Sequence, residues 1–574
     1  MRASSRVPPL QYFVRLTVGF SNSHRGGYMG ALEELNRLLE LRRDFSLPPL
    51  HVRMDMQRAY LRASGCTLDD LDNLNIVHVA GSKGKGSTCA YIESMFRHEG
   101  YRTGLITSPH LINVEERIRV DGKPVGRDLF AEHFRLLYDK FSENAEMFEG
   151  FPEPSFLSFI LHMAYNIFVS KKVEVVVVEV GLGGRYDQTN VVNRPRVTVV
   201  SAIELEHTDI LGDTVQKVAW NKAGIFKAGV PAVVAADEPE DAMVVFVEEA
   251  EAVQCPLFVA PRFVDVQGGL SGDDVMLADW RRLVKSLKGV VVHERNVCLA
   301  LAAVSLWHGH QNAVPSSVSH DPLLRSRGVP TLALCPTRKQ IDGIASTHVV
   351  GRFHEVRISE RLTFFVDCAH TAESVEHCSK WFQTVSPASP SDAGHRALRI
   401  LLFTVTGNRN PLAMLRRLEA LRFDVVYFAG FIAGSLARVG PKLPCPCDCK
   451  TVWEELASSV PSYELVGDQL IQFLKSLKTW DGASPLTLNF GTVEPRGVHV
   501  LVTGSVYLVG DVLSFDETAR STYLAAVWSG GCFADLGGGL VDRVAVTHGV
   551  TVDKSLVAVV VPTVAAADAR PKKY

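Results

Sequence analysis

The sequence predicts an α/β fold built on parallel sheets. From about Asn75, short β-rich apolar runs alternate with amphipathic helical stretches, which is typical of parallel strands joined by helices. Six of the eight residues in the run 173–180 are valine, as expected of a strand that is covered on both faces. A glycine- and lysine-rich turn follows the first predicted strand, where such folds bind ligands.

The length of 574 residues predicts two domains with extensions, because one hydrophobic core rarely serves so long a chain. The first domain is predicted over 29–325, with strands at 76–80, 104–107, 173–180, 197–203 and 230–234. A turn-rich stretch at 311–336 is the predicted hinge. The second domain, 326–516, has predicted strands at 362–366, 399–404, 425–428 and 498–502. Residues 517–574 form an extension to which we assign no function.

Composition narrows the class of protein. Hydrophobic residues make up 47% and charged residues 21%, the balance of a soluble globular protein, and the net charge of -3 argues against a nucleic-acid partner. Eleven cysteines without framework spacing predict reduced thiols. Cys445, Cys447 and Cys449 lack the fourth ligand of a zinc site. No apolar run is long enough to predict a transmembrane segment.

Residues 1–28 are basic and carry no acidic residue, with Arg2, Arg6, Arg15 and Arg25 among them. Such a leader is typical of a mitochondrial transit peptide, although a disordered N-terminus has the same composition. Met29 offers a second start that would leave a cytosolic form. We therefore expect the protein in the cytoplasm, with a mitochondrial form as the alternative.

The segment after the first strand is predicted to bind phosphate. Its glycines allow backbone N–H groups to face an anion, and the helix predicted from near Thr88 adds its positive end. Lys85 supplies a charge for the β- and γ-phosphates, and Ser87 is placed to meet Mg²⁺. The spacing departs from the usual Walker A pattern, so a glycine-rich turn without a ligand remains the alternative. The segment comprises Gly81, Ser82, Lys83, Gly84, Lys85, Gly86 and Ser87.

Two further strand ends carry polar side chains. Glu179 ends the valine-rich strand, and His207 follows the strand 197–203. Because ligands sit beyond the carboxyl ends of parallel strands, the loop, the carboxylate and the imidazole should share one edge. Carboxylate oxygen suits Mg²⁺, whereas imidazole is a less usual partner. A solvated acid and an ordinary loop histidine are the alternatives.

Lys222 lies on the apolar stripe of a helix predicted over 214–226, together with Val215, Val218 and Ala219. Its ammonium could reach solvent along its stem. Alternatively, burial could lower its pKa and leave a neutral amine, which could take up CO₂ and offer a carbamate oxygen to a second Mg²⁺. Spacing alone does not decide between these outcomes.

Together these motifs resemble the folylpolyglutamate synthases, which are related to the Mur peptide ligases. The resemblance runs from about Gly30 to Leu513. The motifs that carry it are the segment 81–87, Thr107-Ser-Pro-His-Leu111, Glu115-Glu-Arg-Ile118, Glu179-Val-Gly-Leu-Gly-Gly-Arg-Tyr-Asp187, His207-Thr-Asp-Ile-Leu-Gly-Asp213 and Lys222-Ala-Gly-Ile225.

The resemblance implies a role for each matching residue. Ser108 and Glu179 would hold a first Mg²⁺, His207 would hold a second, and Lys222 would be carbamylated. The predicted catalytic residues are Lys85, Lys222 and His207. Asn296, in a helix predicted over 294–307, would approach adenine. Arg352, Asp367 and His370 would reach ATP from the second domain. Two positions depart from the family pattern: Cys368 replaces a usual glycine and Val350 a usual proline.

The implied fold is a P-loop-containing parallel-sheet ATPase domain followed by a smaller Rossmann-like α/β domain. The implied activity is ATP-dependent addition of L-glutamate to folate through an acyl phosphate, by a monomer. Mg²⁺ is the expected cofactor, with a monovalent cation as an optional addition. The alternatives are a bifunctional enzyme that also makes dihydrofolate and a nucleotide-binding protein that performs no ligation.

Overall fold

The structure, a computed structural model, describes residues 27–41, 52–269, 274–287, 290–310, 313–314, 326–387, 397–406, 409–430, 446–457 and 459–515. The chain divides into two units, 1–531 and 532–574, and everything described belongs to the first. The predicted leader, apart from its last two residues, the extension 517–574 and Cys445 lie outside the described residues. Eight cysteines of the described part are free thiols, which agrees with the prediction of reduced cysteines.

The first sheet has ten strands within the described residues. They are β1 Val77–Ala80, β2 Thr103–Ile106, β3 Ile118–Val120, β4 Lys123–Pro124, β5 Val175–Glu179, β6 Val197–Val200, β7 Ala232–Val234, β8 Leu257–Val259, β9 Ala313–Val314 and β10 Thr331–Leu332. Their order is β4-β3-β2-β5-β1-β6-β7-β8-β10-β9. Neighbouring strands pair in parallel along β2-β5-β1-β6-β7-β8-β10. At one edge β3 pairs antiparallel with β2 and with β4, and at the other edge β9 pairs antiparallel with β10.

Helices cover both faces of this sheet, which places β5 at the centre of two cores. Val176 and Val178 belong to one hydrophobic cluster, and Val175 and Val177 belong to another. All four are fully buried, so the predicted two-faced burial of the valine run is confirmed.

The α-helices are α1 Tyr28–Leu41, α2 Arg53–Ala63, α3 Leu68–Asn73, α4 Lys85–Glu99, α5 Arg127–Glu143, α6 Phe156–Ser170, α7 Thr208–Leu211, α8 Val215–Ala223, α9 Glu240–Val253, α10 Phe263–Gly269, α11 Asp274–Ser286 and α12 Val291–Trp307.

A second sheet follows, with strands β11 His354–Arg357, β12 Leu362–Val366, β13 Leu398–Phe403, β14 Val425–Ala429, β15 Ser462–Leu465 and β18 Val498–Thr503. Its order is β11-β12-β18-β13-β14-β15, parallel except for β11. Strands β16 Leu486–Leu488 and β17 Gly491–Val493 form a separate hairpin. The accompanying helices are Ala372–Val385, Pro411–Glu419, Pro446–Leu456, Asp468–Thr479 and Val506–Phe515. The predicted succession of two α/β domains is confirmed.

The predicted position of the hinge needs a correction. Of the stretch 311–336, the described strands β9 and β10 both belong to the first sheet. The next helix, Arg338–Ala345, packs on α4, where Ser94 Oγ donates a hydrogen bond of 2.7 Å to Gly343 O. The change of sheet therefore comes after Ala345 and before β11. Turn-forming residues marked the stretch as irregular, but they did not reveal which sheet its short strands join.

No helix among the described residues combines the length and the apolar character needed to cross a membrane.

Candidate active site

A cleft of about 440 Å³ lies beyond the carboxyl ends of β1, β5 and β6. In the sheet, Val79 of β1 is paired with Glu179 of β5 and with Val199 of β6, so these three strands end together. The cleft is lined from both domains, and most predicted site residues contribute to its wall. These are Ser82, Lys83, Gly84, Lys85, Gly86, Ser87, Ser108, Glu179, His207, Asn296, Arg352, Asp367 and His370.

The predicted phosphate loop is fastened to the end of β6. Gly81 has a φ of +141°, and a Cβ there would overlap Ser201 Oγ, so only glycine fits. The N–H groups of Ser82 and Lys83 donate to Ala202 O at 2.8 and 3.1 Å. These two N–H groups are therefore not directed at an anion, contrary to the expectation that successive N–H groups of the loop would face it.

The anion-binding end of the loop is the start of α4. This helix begins at Lys85 rather than near Thr88, and the N–H groups of its first turn have no acceptor within the helix. Lys85 Nζ turns back to donate to Gly81 O at 2.8 Å and to Ser82 O at 3.3 Å. A phosphate at this end would meet both the helix N-terminus and a mobile ammonium.

Glu179 faces the first turn of α4. Its Oε2 accepts a hydrogen bond of 2.8 Å from Ser108 N, in the loop after β2. Both carboxylate oxygens lie 3.6 Å from the position that a Cβ on Gly86 would occupy. Burial raises the pKa of the Glu179 carboxyl above its ordinary value, and the charge of Lys85 opposes this shift. The structure thus brings Glu179, Ser108 and the loop together, as predicted.

Lys222 lies behind the cleft wall in a buried ion pair. Its Nζ donates to Glu206 Oε1 at 2.9 Å, and Lys83 Nζ lies 3.6 Å from the other oxygen of Glu206. Burial and the charge of Lys85 lower the pKa of Lys222 to about 8, although Glu206 opposes this. Burial alone would raise the pKa of Glu206, but the charges of Lys222, Lys85 and Lys83 lower it to about 2. The Lys222 side chain is thus buried and does not reach solvent, and its partner Glu206 was not predicted.

His207 follows Glu206 directly and caps the N-terminus of the one-turn helix α7, with a left-handed φ of +48°. It lines the cleft but is an exposed residue. No group of three or more His, Cys, Asp or Glu side chains arranged for a metal occurs in the described part of the chain. The predicted ligands Ser108, Glu179 and His207 thus share one cleft without forming a closed metal cage.

Asn296 lies on α12 and meets the loop at Gly84, whereas Glu179 meets it at Gly86. Only 1% of Asn296 is exposed, and its Nδ2 has no hydrogen-bond partner among the described residues. A Cβ on Gly84, which has a φ of +84°, would overlap Asn296 Oδ1. A buried donor without a partner beside the loop is expected where a ligand completes the bonding.

The second domain contributes a rigid pair of loops. Asp367 accepts hydrogen bonds of 2.8 Å from Phe353 N and from Ala369 N, which joins the loop of Arg352 to the loop of His370. Burial raises the pKa of Asp367, and the neighbouring Arg352 opposes this. His370 Nε2 lies 3.3 Å from Lys83 Nζ, a direct contact between the two domains.

The two departures from the family pattern are accommodated locally. Cys368 is 2% exposed, and its N–H donates to Gly351 O at 2.9 Å, so the backbone of the two loops stays bonded. Its Sγ lies 3.2 Å from where a Cβ on Gly351 would be. Val350 packs against the core of the second domain.

The loop after β2 also joins the domains. Leu111 and Ile112 leave the first domain and pack against the core of the second. Glu116 holds their backbone, because its carboxylate accepts from Leu111 N at 2.8 Å and from Ile112 N at 3.0 Å. Gly510 leaves no room for a Cβ against the carbonyl oxygen of Leu111.

Sequence reasoning missed several residues of this cleft. Glu206 stands next to His207 in the sequence but was not predicted to belong to the site. Arg409 and Tyr507 line the cleft from the second domain and belong to no motif that the sequence analysis identified. Arg117 and His110 lie in the motifs quoted above, but only the structure shows that they pair.

None of the protein-family models searched matches the chain. Bovine mitochondrial folylpolyglutamate synthase is 36% identical over 386 residues, 66% of this chain and 63% of that protein. The human mitochondrial enzyme is 37% identical over 380 residues, 66% of this chain and 62% of that protein. The chain thus matches just over three fifths of the length of these two relatives.

A putative folylpolyglutamate synthase of Caenorhabditis elegans is 32% identical over 471 residues, 81% of this chain and 86% of that protein. Among solved structures, Mycobacterium tuberculosis folylpolyglutamate synthase complexed with ADP matches with a TM-score of 0.61 at 21% identity, covering 86% of this chain and 99% of that one. A bifunctional folylpolyglutamate synthase/dihydrofolate synthase from Yersinia pestis matches with a TM-score of 0.55 at 20% identity, covering 84% and 97%. The structural matches show a shared fold.

Proposed function

The chain belongs to the folylpolyglutamate synthase family, and on that premise we propose that it is a magnesium- and ATP-dependent ligase that adds L-glutamate to the γ-carboxylate of folates and their polyglutamates. One observation carries the proposal. The helix-capping loop 81–87, Glu179 and the Lys222–Glu206 pair meet at one cleft whose opposite wall comes from the second domain. That arrangement suits transfer of a phosphoryl group away from water.

A carboxylate does not react directly with an amine, so the reaction needs an activated acid. An oxygen of the folate tail carboxylate attacks the γ-phosphorus of ATP, the bond to the β-phosphate oxygen breaks and ADP leaves. The nitrogen of L-glutamate then attacks the acyl phosphate carbon, and the tetrahedral intermediate expels phosphate while the nitrogen loses a proton. Lys85 and the first turn of α4 neutralise the charge that develops on the transferring group.

The donor set fits Mg²⁺ with few protein ligands. Glu179 offers carboxylate oxygen beside the start of α4, and Mg²⁺ is commonly bound by one or two carboxylates together with substrate phosphates. We propose Ser108 and Glu179 at a first ion and His207 at a second. Bound Mg²⁺ would supply neutralisation of phosphate charge. A monovalent cation remains a prediction.

Lys222 is proposed to act in its carbamylated form, as the resemblance implies. A pKa of about 8 leaves a minor fraction of neutral amine near pH 7, which is the form that reacts with CO₂. A carbamate on Lys222 would be negatively charged and would repel the carboxylate of Glu206, which now accepts a hydrogen bond from the amine. Glu206 would therefore have to turn away. NMR of the folded protein, prepared with and without carbon-13-labelled bicarbonate, would detect the carbamate carbon.

The remaining predicted residues are proposed to hold ATP. Asn296 Nδ2, which has no partner among the described residues, would donate a hydrogen bond to the adenine. Arg352 and Asp367 would close over the nucleotide from the second domain, with His370 beside Lys83. Closure keeps water from the acyl phosphate, which would otherwise hydrolyse.

The purified protein with ATP, Mg²⁺, tetrahydrofolate and L-glutamate should release ADP and lengthen the folate by one residue per cycle. Chelation of the metal should stop turnover without unfolding the protein. Lys85→Met should lower kcat by roughly 100-fold or more, as expected when one charge-stabilising donor is lost. Lys339→Met, an exposed change away from the cleft, is the control. An inactive wild-type protein under these conditions would reject the proposal.

The same assay tests the alternatives. Ligation of dihydropteroate to glutamate would indicate the bifunctional enzyme, whereas ATP hydrolysis that is independent of folate would indicate a protein that performs no ligation. Gel filtration would check the predicted monomer. Imaging of the chain with and without residues 1–28 would check the predicted cytoplasmic and mitochondrial forms.

A further inference from the structure

His110 lies in the loop that joins β2 to β3, at the wall of the cleft. The two strands pair antiparallel with Ile106 opposite Ile118, so the loop 107–117 doubles back and brings its two ends together. Arg117, near the end of this loop, therefore reaches His110, near its start. Arg117 Nε donates a hydrogen bond of 2.7 Å to His110 Nδ1, and each residue is 8% exposed.

This bond fixes which nitrogen of the imidazole carries hydrogen. An arginine Nε has a hydrogen and no lone pair to offer, so Nδ1 of His110 must be the acceptor. The hydrogen of the ring then lies on Nε2, which has no partner among the described residues. Because the ring lines the cleft, Nε2–H is the polar group that His110 presents to a ligand.

Arg117 also determines the kind of ligand that Nε2–H suits. Its guanidinium lies behind the imidazole and over the ring of Phe156, 5.3 Å from the ring centre, so it is held in place and polarises the imidazole. A donor backed by a buried cation favours an anionic acceptor. His110 follows β2, whereas Asn296 meets the loop after β1 at Gly84, and β5 lies between β2 and β1 in the sheet.

We propose that His110 Nε2–H binds a carboxylate on the glutamate tail of the folate acceptor, with Arg117 as the positioning residue that sets its tautomer. The proposal rests on the proposed function. It assigns a binding contact to the acceptor, not to ATP or to the incoming glutamate.

Two substitutions of similar size separate the donor from the structural contact. In His110→Asn, the side-chain oxygen takes the place of Nδ1 and keeps the bond from Arg117, but nothing replaces Nε2–H. In His110→Gln, the amide nitrogen reaches the place of Nε2 and restores a donor. We expect His110→Asn to raise KM for tetrahydrofolate by about 10- to 100-fold, as for a lost hydrogen bond to a charged group, with KM for ATP unchanged. His110→Gln should recover most of this loss.

Calorimetric binding of tetrahydrofolate in the presence of a non-hydrolysable ATP analogue gives a readout that does not depend on turnover, and thermal unfolding checks that both variants fold. An unchanged KM for tetrahydrofolate in folded His110→Asn would overturn the proposal, as would a rise confined to KM for glutamate or for ATP. A rise in KM for tetrahydrofolate in His110→Gln alone, the variant that loses the bond from Arg117, would assign His110 a structural role only. These outcomes leave an active wild-type enzyme, whereas failure of the proposed function would show as an inactive one and would remove this inference with it.

Discussion

Lys222 Nζ and Glu206 Oε1 form an ion pair of 2.9 Å in which 1% of the lysine side chain and 9% of the glutamate side chain are exposed. Two opposite charges are thus buried beside a cleft that also contains Lys83 and Lys85. A buried pair is costly to break from one side, because the remaining charge has no solvent to replace its partner.

Glu206→Gln should therefore lower the free energy of unfolding at neutral pH by about 3 to 5 kcal/mol, measured by urea unfolding. Adding Lys222→Met to this variant should restore part of the loss, since the unpaired ammonium is then gone. The exposed pair of Lys217 and Asp213, 2.8 Å apart at the start of the same helical segment, is the control. Asp213→Asn should leave the midpoint of urea unfolding nearly unchanged, because an exposed ion pair adds little to stability. A double variant no more stable than Glu206→Gln would contradict this account.

The same pair predicts a pH dependence. The pKa of Glu206 is about 2 in the folded protein, below its ordinary value of 4.5, so the unfolded chain binds the proton more tightly. The stability that Glu206 contributes is then complete above the ordinary value and declines as pH falls toward 2. The difference in unfolding free energy between wild type and Glu206→Gln should shrink across this window, in urea titrations from about pH 7 to about pH 3. A constant difference would argue against the lowered pKa.

The two ends of α4 offer a matched test of the nucleotide site. Gly84 and Gly100 flank the helix with left-handed φ angles of +84° and +106°, and a Cβ meets Asn296 at Gly84 but nothing within 4 Å at Gly100. Both Gly→Ala changes should cost about 1 kcal/mol or more in stability through backbone strain. Gly84→Ala alone should displace Asn296 and raise KM for ATP by roughly 10-fold. A similar KM in the two variants would separate Asn296 from nucleotide binding.

Cys368 tests whether the departure from the family pattern matters for activity. Its thiol is buried, but the bonded backbone around it does not depend on the side chain. Cys368→Gly should thus lower the free energy of unfolding by about 1 to 3 kcal/mol, through lost packing and added chain freedom. We expect kcat/KM to stay within about 2-fold, because the backbone bonds of the loop remain. A 10-fold change in kcat/KM would require the barrier to change by about 1.4 kcal/mol. A large gain in activity would mean that cysteine had disturbed the loop.

The group of site residues at the carboxyl ends of the strands in the first sheet was predictable because the sequence signals for it are local. A valine-rich strand, a glycine-rich turn and a strand-end acid each keep their meaning wherever the strands lie, and parallel strands bring their carboxyl ends to one edge. The predicted strands were found with ends displaced by a few residues; for example, 197–203 became Val197–Val200. Side chains that lie together only through the course of a loop were not predictable. The role of Glu206, in a loop, depends on its pairing with Lys222 on α8, and that of His110 depends on Arg117 across the connection between β2 and β3.

Short edge strands account for the misplaced hinge. Thr331–Leu332 contributes two residues to the sheet, too few to show an alternating or continuous apolar pattern. Its membership of the first sheet depends on pairing with Val259, which is far away along the chain. The prediction had only turn residues to follow there.

The loop after β2 has two anchors that belong to different domains. Ser108 is bonded to Glu179 of the first sheet, and Leu111, three residues later, packs against the core of the second domain. Three peptide units can span only about 10 Å, so the loop leaves little slack between its anchors. Ser108 and Leu111 thus tie the carboxylate of Glu179 to the second domain. A displacement of that domain that carries Leu111 with it would act on the backbone N–H that holds Glu179.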